Sequence, residues 1–161
     1  MSIVTENKPH IGIEAADRVE IADGLSKLLA DTYTLYVQTQ GYHWNVTGPT
    51  FPALHQMFED QYIELREAAD LVAERVRTVG ERSPGSFAEF LELATVKDNQ
   101  AASAATQMVK DLVDGHETIV RLARPLVEIA EKAGDVATAD LVTERIREHE
   151  RTAWMLRATD A

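Results

Sequence analysis

Apolar side chains recur at spacings of three and four residues along four long segments of this 161-residue chain. The first series begins with Val19, Ala22 and Leu25 and continues to about Trp44. This period matches the turn of an α-helix, whereas strand-like alternation and internal repeats are absent from the sequence. The pattern predicts four long helices: Asp17, as N-cap, to about Trp44; Phe51 to about Val79; about Asn99 to Ala133; and Val136 to Leu156.

Glycine and proline mark connections of different lengths between the helical segments. Gly48 marks a short first connection, and Gly134 is a plausible helix C-cap before the last segment. Residues 80–85 instead open a long link that contains a short helical pattern over 87–93. Pro125 lacks an N–H and is expected to kink the third long helix or loosen its hydrogen bonding. Four long helices with this crossover resemble a ferritin-like bundle, so the expected fold is all-α with a short extra helix in the crossover.

The chain is acidic and contains no cysteine. It carries 16 Lys and Arg residues against 27 Asp and Glu residues, a formal net charge of −11. Such a surface attracts cations and repels phosphate backbones, which disfavours nucleic acid as a partner. Without thiolates, a metal site has to use histidine and carboxylate ligands, a set that suits iron, manganese or zinc.

The N-terminal residues differ in character from the helical segments. They are polar and are broken by Pro9 and Gly12, so we expect a flexible leader over 1–16 and one bundle domain over 17–161. No transmembrane span or secretory signal is recognisable in the sequence. The expected location is therefore cytoplasmic, with no membrane partner.

Four potential metal ligands of the second helix form two i,i+4 pairs, His55 with Glu59 and Asp70 with Glu74. Helical rise places Glu59 and Asp70 about 16 Å apart, too far for one ion to be shared within one copy. The two pairs are, however, related by reversal about a point between residues 64 and 65. A twofold axis there would bring Glu59 opposite Asp70 of a second copy, and His55 opposite Glu74. This symmetry predicts a metal site between two subunits.

A site inside one bundle is not expected from the histidine spacing. Di-iron proteins of that kind use Glu-x-x-His motifs, and none of the four histidines after the leader follows a glutamate by three positions. His43 is a fifth candidate ligand, because the short loop after the first helix can fold it back toward His55. The alternative is that all these groups are ordinary solvated or core side chains.

Two sequence stretches resemble a known family. The stretch HWNVTG at 43–48 is followed by Leu54, His55 and Glu59, and the stretch DLVAER at 70–75 is followed by Val79 and Gly80. Together they resemble the signatures of the Dps mini-ferritins, DNA-binding proteins from starved cells, over nearly the whole chain. The departures are Ala69, the Ser83–Pro84 pair and Glu59, where many relatives have aspartate.

The resemblance implies a hollow homododecamer with ferroxidase centres at its twofold interfaces. It assigns His43, His55 and Glu59 to one subunit of each centre, and Asp70 and Glu74 to the other. Fe(II) would be oxidised there, preferably by hydrogen peroxide, and the ferric mineral stored inside. The rival functions are a protein that mainly coats DNA and a purely structural bundle.

Several other side chains have two interpretations each. Trp44 is either a catalytic electron donor beside the iron or a hydrophobe that closes the dimer interface, and Trp154 is expected in the core or an interface. His116 and His149 lie near apolar seams, which favours hydrogen-bonded interior histidines over a second metal site. By resemblance, Asp135 and Asp140 lie in the region that lines threefold pores for Fe(II). The alternative for these two aspartates is helix capping. His10 is not assigned a role.

Overall fold

A computed structural model describes residues 8–99 and 104–159 of the chain. Within these ranges all regular structure is helical, and there is no strand. The elements are α1 (Ala15–Asn45), α2 (Phe51–Thr78), α3 (Phe87–Leu93), α4 (Ala105–Lys132) and α5 (Val136–Thr159). Four long helices and a short one in the crossover confirm the predicted fold class.

The long helices pair through two tight connections. Helix α1 packs on α2, α4 packs on α5, and α1 contacts α4 while α2 contacts α5, which closes a four-helix bundle. Gly134 has a φ of 72° and follows α4, where the N–H of Asp135 donates to the carbonyl of Ala130 at 2.8 Å. This Schellman-type end confirms the expected cap and turns the chain directly into α5.

The core is formed by the apolar seams that the sequence shows. Burying each large side chain contributes about 1.5–3 kcal/mol, so these seams dominate the stability of the bundle. Gly24 of α1 and Gly115 of α4 allow close helix approach, because a Cβ at either one would lie 2.6 Å from a leucine methyl of the other helix. Side chains with no exposed surface include Leu25, Leu28, Leu35, Phe58, Leu65, Leu112, Ile119, Val142 and Leu156.

Two local predictions were wrong, and a third stays a prediction. Asp17 does not cap α1, which begins at Ala15 with Glu14 at the N-cap and Asp17 inside the first turn. Helix α4 begins at Ala105 and not near Asn99, which is not helical. Pro125 stands at an exposed position inside α4, and the helix runs on through it; a kink or loosened hydrogen bonding at this point stays a prediction.

A buried carboxylate ties the crossover to the bundle. Asp31 of α1 has no exposed surface, and its Oδ1 accepts hydrogen bonds from the backbone N–H groups of Thr95 and Val96 at 2.6 and 2.7 Å. Burial raises the pKa of Asp31, although both of these hydrogen bonds oppose the rise. The chain that follows α3 is thereby held against α1 from inside the protein.

Candidate functional site

The helical hairpin of α1 and α2 brings two predicted ligands face to face. His43 lies in the last turn of α1 and His55 in the second turn of α2, on either side of a short loop. Their rings stack with centroids 3.9 Å apart and planes inclined by 19°. The predicted fold-back of His43 onto the second helix is therefore present within one chain.

Reciprocal hydrogen bonds fix the tautomer of both rings. Nδ1 of His43 lies 2.8 Å from the carbonyl oxygen of His55, and Nδ1 of His55 lies 2.8 Å from the carbonyl oxygen of His43. A carbonyl oxygen can only accept, so each Nδ1 carries the proton and donates it. Each neutral ring then keeps its lone pair on Nε2. This is the arrangement by which proteins orient histidine ligands toward a metal.

Aromatic side chains hold the two rings in place. Phe51 lies 5.0 Å from the ring of His55, and Tyr62 lies edge-on to His43 at 5.3 Å. His43 is only 8% exposed, whereas His55 is half-buried. Glu59 follows His55 by one turn and is also half-buried, with its Oε2 3.5 Å from the Nε2 of Gln56. These contacts fix the two rings at a position that is partly open to solvent and lies outside the core.

Asp70 and Glu74 do not join the histidines within one chain. Both are exposed on α2, beyond the three turns that separate them from Glu59. Among the described residues there is no group of three or more His, Asp or Glu side chains that could hold a metal ion. One copy thus presents the candidate ligands as two separate sets. Whether a second copy unites them stays a prediction.

Asp70 lies in an open groove of about 700 Å³ on the face formed by α1, α2 and the crossover. Leu71, at 55% exposure, lines this groove, and Phe87 at 69% and Leu91 at 57% line an adjoining groove that shares Tyr33 and Phe90 with it. Contiguous apolar surface of this kind on a folded chain marks a site of association. The lining residues include Leu29, Tyr33, Arg66, Glu67, Ala69 and Phe90.

The two tryptophans are both on the surface of the single chain. Trp44, next to His43, is 67% exposed, and Trp154 on α5 is 62% exposed. A core position for Trp154 is therefore wrong, and its place in an interface stays a prediction. For Trp44 the exposure is compatible with both the catalytic and the interface interpretation.

His116 and His149 form a second histidine pair, inside the bundle between α4 and α5. Their Nδ1 atoms lie 2.8 Å apart, and the guanidinium of Arg145, itself paired with Glu64, approaches Nε2 of His149 at 3.4 Å. Burial, reinforced by the charge of Arg145, lowers the pKa of His116 to about 3, and burial also lowers the pKa of His149. Three of the four ring nitrogens have protein partners, as expected for interior histidines, whereas Nε2 of His116 is buried without one.

Asp135 is a helix cap and not an exposed pore residue. It is 2% exposed, accepts from the backbone N–H of Thr138 at 3.0 Å, and takes a 2.6 Å ion pair from Arg75. Burial alone would raise the pKa of Asp135, but the hydrogen bonds from Arg75 and Thr138 lower it overall. The pore interpretation is wrong for this side chain, because its carboxylate is already used within the chain. Asp140 is exposed, and its role stays a prediction.

Sequence reasoning missed a tyrosine cluster beside His43. The rings of Tyr62 and Tyr36 are 6.2 Å apart, and those of Tyr36 and Tyr33 are 5.5 Å apart. The signal was available: Tyr33, Tyr36 and His43 follow one another at spacings of three and seven on α1, and Tyr62 follows His55 by seven on α2. Spacings of three and seven place side chains on one helix face.

Comparisons with known proteins agree with this architecture. Residues 22–160 match the ferritin-like domain family. A Dps protein from Vibrio cholerae, described as a member of a broad superfamily of ferritin-like diiron-carboxylate proteins, superposes with a TM-score of 0.90 at 34% identity, covering 94% of this chain and 95% of that one.

Two relatives extend the similarity by sequence. The DNA protection during starvation protein of Porphyromonas gingivalis is 34% identical over 147 residues, 91% of this chain and 92% of the relative. An uncharacterized low temperature-induced protein of Nostoc sp. is 43% identical over 151 residues, 92% of this chain and 84% of the relative. The described helices include none that is long and apolar enough to cross a membrane.

Proposed function

This chain belongs to the Dps family of ferritin-like proteins, and on that premise we propose that it oxidises Fe(II), preferably with hydrogen peroxide, at centres shared between two subunits. The ferric product is stored inside a hollow homododecamer. The observation that carries the proposal is the reciprocal locking of His43 and His55, which presents two bare Nε2 atoms side by side.

A second copy supplies what one chain lacks. Antiparallel packing of two α2 helices places Asp70 and Glu74 of the partner subunit opposite Glu59 and His55. The exposed side chain of Leu71 supports such a contact, because it lines the same groove as Asp70 on the face that would be covered. The symmetric spacing of the ligands and this surface therefore favour the same dimer.

The donor set suits the oxidation of iron. Anionic Glu59, Asp70 and Glu74 stabilise Fe(III) more than Fe(II), which makes Fe(II) easier to oxidise. Two Fe(II) ions supply the two electrons that reduce one hydrogen peroxide, with two protons, to two water molecules. No hydroxyl radical is released in that stoichiometry, so the cell is protected from both reactants. The net charge of −11 favours Fe(II) at the surface.

Trp44 has a supporting role in this proposal. It follows His43 in sequence, and its oxidisable ring is 67% exposed. It would donate an electron to quench a stray oxidising equivalent near the iron. Cytoplasmic location is part of the same proposal, because both reactants arise inside cells.

The proposal is tested by loading the protein anaerobically with Fe(II), adding peroxide, and following protein and ferric absorbance together through size-exclusion chromatography. We expect ferric absorbance to co-elute with a particle of about twelve subunits, the assembly implied for this family. Oxidation on a dimer alone would remove the storage claim. Iron that oxidises no faster than in buffer would overturn the ferroxidase claim.

The double variant Asp70→Ala, Glu74→Ala tests the shared centre. It should abolish rapid oxidation while the particle still assembles. The matched control Glu20→Ala, Glu128→Ala removes the same charge from exposed helix positions outside this groove and should oxidise iron as the wild type does. Equal rates in both double variants would contradict an intersubunit site.

DNA binding is the second candidate, favoured by the name of the Porphyromonas relative. The excess of 27 acidic over 16 basic residues opposes it. Magnesium ions can bridge an acidic shell to phosphate, so a gel shift at low ionic strength with and without magnesium decides the question. Retardation that disappears as salt increases would establish a DNA-coating role.

A further inference from the structure

Three of the four tyrosines form one connected row along the α1–α2 hairpin. The row starts at His43, whose ring lies 5.3 Å from Tyr62, and continues from Tyr62 to Tyr36 over 6.2 Å and from Tyr36 to Tyr33 over 5.5 Å. Centroid separations in this range are those of aromatic rings in direct contact. An electron can therefore pass along the row without crossing a gap of saturated side chains.

The far end of the row lies at a different candidate ligand. Tyr33 stacks on Phe90 at 4.7 Å, and both line the groove that contains Asp70. In the proposed dimer, His43 and Asp70 of one chain belong to two different iron centres. The row of tyrosines thus begins beside one centre and ends in the groove that holds a ligand of the other.

We propose that Tyr62, Tyr36 and Tyr33 form an electron-transfer chain that connects the two ferroxidase centres of a dimer. This inference rests on the proposed function. The chain acts when a centre holds one Fe(II) and peroxide still requires a second electron. Fe(II), hydrogen peroxide, one proton and the Tyr62 phenol then yield Fe(III), two water molecules and the Tyr62 phenoxyl radical.

The radical is repaired from the other centre. Tyr36 and then Tyr33 each give up a phenol proton and an electron as the previous ring regains both. An Fe(II) ion at the far centre finally reduces Tyr33, which takes up one proton, and that ion becomes Fe(III). The net reaction is two Fe(II), one peroxide and two protons giving two Fe(III) and two water molecules, with the ions at separate centres.

The fourth tyrosine, Tyr42, is not part of the row and can serve as a control. Tyr42 precedes His43 in sequence, but its ring faces away toward Phe58 at 6.5 Å, and its hydroxyl donates to Asp111 and accepts from Gln38. It is buried, whereas Tyr33, Tyr36 and Tyr62 are half-buried in the single chain. Tyr42→Phe is therefore the matched control for any tyrosine of the row.

The test uses the assembled protein with Fe(II) at one ion per centre, rapid mixing with peroxide, freeze-quenching and electron paramagnetic resonance. Ring-deuterated tyrosine identifies the radical by the narrowing of its signal, and deuterated tryptophan separates any contribution from Trp44. We expect a tyrosyl signal in the wild type and in Tyr42→Phe. It should be lost in Tyr62→Phe. Tyr36→Phe should retain only the Tyr62 component and prolong its lifetime, because the next ring is no longer oxidisable.

The outcomes separate this inference from the function on which it rests. Rapid Fe(II) oxidation without a tyrosyl radical would overturn the chain and leave the ferroxidase intact. A signal unchanged in Tyr62→Phe, or removed by Tyr42→Phe, would also overturn it. No Fe(II) oxidation at all would overturn both. Because phenylalanine keeps each ring, circular dichroism and size-exclusion profiles should match the wild type in all three variants.

Discussion

The two histidine pairs of this protein show how the same side chain serves opposite purposes. His43 and His55 give their Nδ1 protons to each other's backbone carbonyls and keep both Nε2 atoms available. His116 and His149 use Nδ1 on each other, and Arg145 approaches the remaining nitrogen of His149. The first pair thus uses one nitrogen of each ring, whereas the second uses three of its four ring nitrogens and leaves only Nε2 of His116 without a partner.

The difference follows from where each pair lies in the bundle. The first lies at the end of a hairpin, where the carbonyl of His43 in the last turn of α1 has no helical partner, while the carbonyl of His55 in α2 accepts with a second lone pair. The second lies between the middles of α4 and α5, where its partners are side chains. The short loop beside the first pair thus gives each imidazole a backbone acceptor on the neighbouring helix.

The largest effect is expected when the buried pair is broken by His116→Ala. The substitution leaves a cavity and an unpaired buried Nδ1–H on His149, which should lower the free energy of unfolding by about 3–5 kcal/mol. Urea unfolding measures it, with His10→Ala, an exposed position, as the control. An unfolding midpoint equal to that of the wild type would show that the pair does not stabilise the bundle.

Breaking the His43–His55 pair by His55→Ala should leave stability nearly unchanged and reduce the rate of Fe(II) oxidation by about 100-fold, at the upper end of what losing support at a metal site costs. His43 stays oriented in this variant, because its acceptor is the backbone carbonyl of residue 55. Stopped-flow absorbance with peroxide measures the rate. A rate within twofold of the wild type would exclude His55 as a ligand.

Acid should destabilise the folded protein through the buried pair, His116 and His149. The pKa of His116 is about 3 in the folded protein, whereas an unfolded histidine titrates near about 6.5. Below that value the unfolded chain binds a proton that the folded chain excludes, so stability present above pH 6.5 is lost as the pH falls toward 3, by about 1.4 kcal/mol per pH unit for each such histidine.

The pH dependence is isolated by comparing unfolding midpoints of the wild type and of His116→Leu, His149→Leu at about pH 7 and about pH 5, the window in which the proton uptake differs. The double variant should lose less stability between these two conditions than the wild type. Parallel losses would mean that other groups are responsible for the acid sensitivity.

The smallest effect is expected at Glu59→Asp beside the His43–His55 pair. The carboxylate and its helix position are kept and only one methylene is removed, so the rate of Fe(II) oxidation should change by less than about tenfold, below the usual cost of losing a supporting contact. Peroxide-driven oxidation under identical loading checks it. A collapse comparable to that of His55→Ala would show that the length of this side chain, and not its charge, sets the geometry.

The helices and their buried positions were predictable from the sequence, whereas the residues at which the helices begin were less so. Leu25, Phe58 and Ile119 follow helical spacing and are fully buried, and Gly134 ends α4 as expected. The start of α4 and the cap of α1 were misplaced, because apolar periodicity does not report where a helix first forms hydrogen bonds. The capping role of Asp135 was one of two open interpretations, and its ion pair with Arg75, 60 positions away, decided it.

The amino-acid sequence by itself determined the helices, the crossover and the candidate ligands, since periodicity and spacing along one helix are local properties. It also sufficed to indicate the Dps family. Only the tertiary structure decided the proton positions on His43 and His55, the closure of His116 by His149, and the row of tyrosines from His43 to the groove. Each of these depends on atoms of two different helices meeting within a few ångströms, and that distance is set by packing and not by order along the chain.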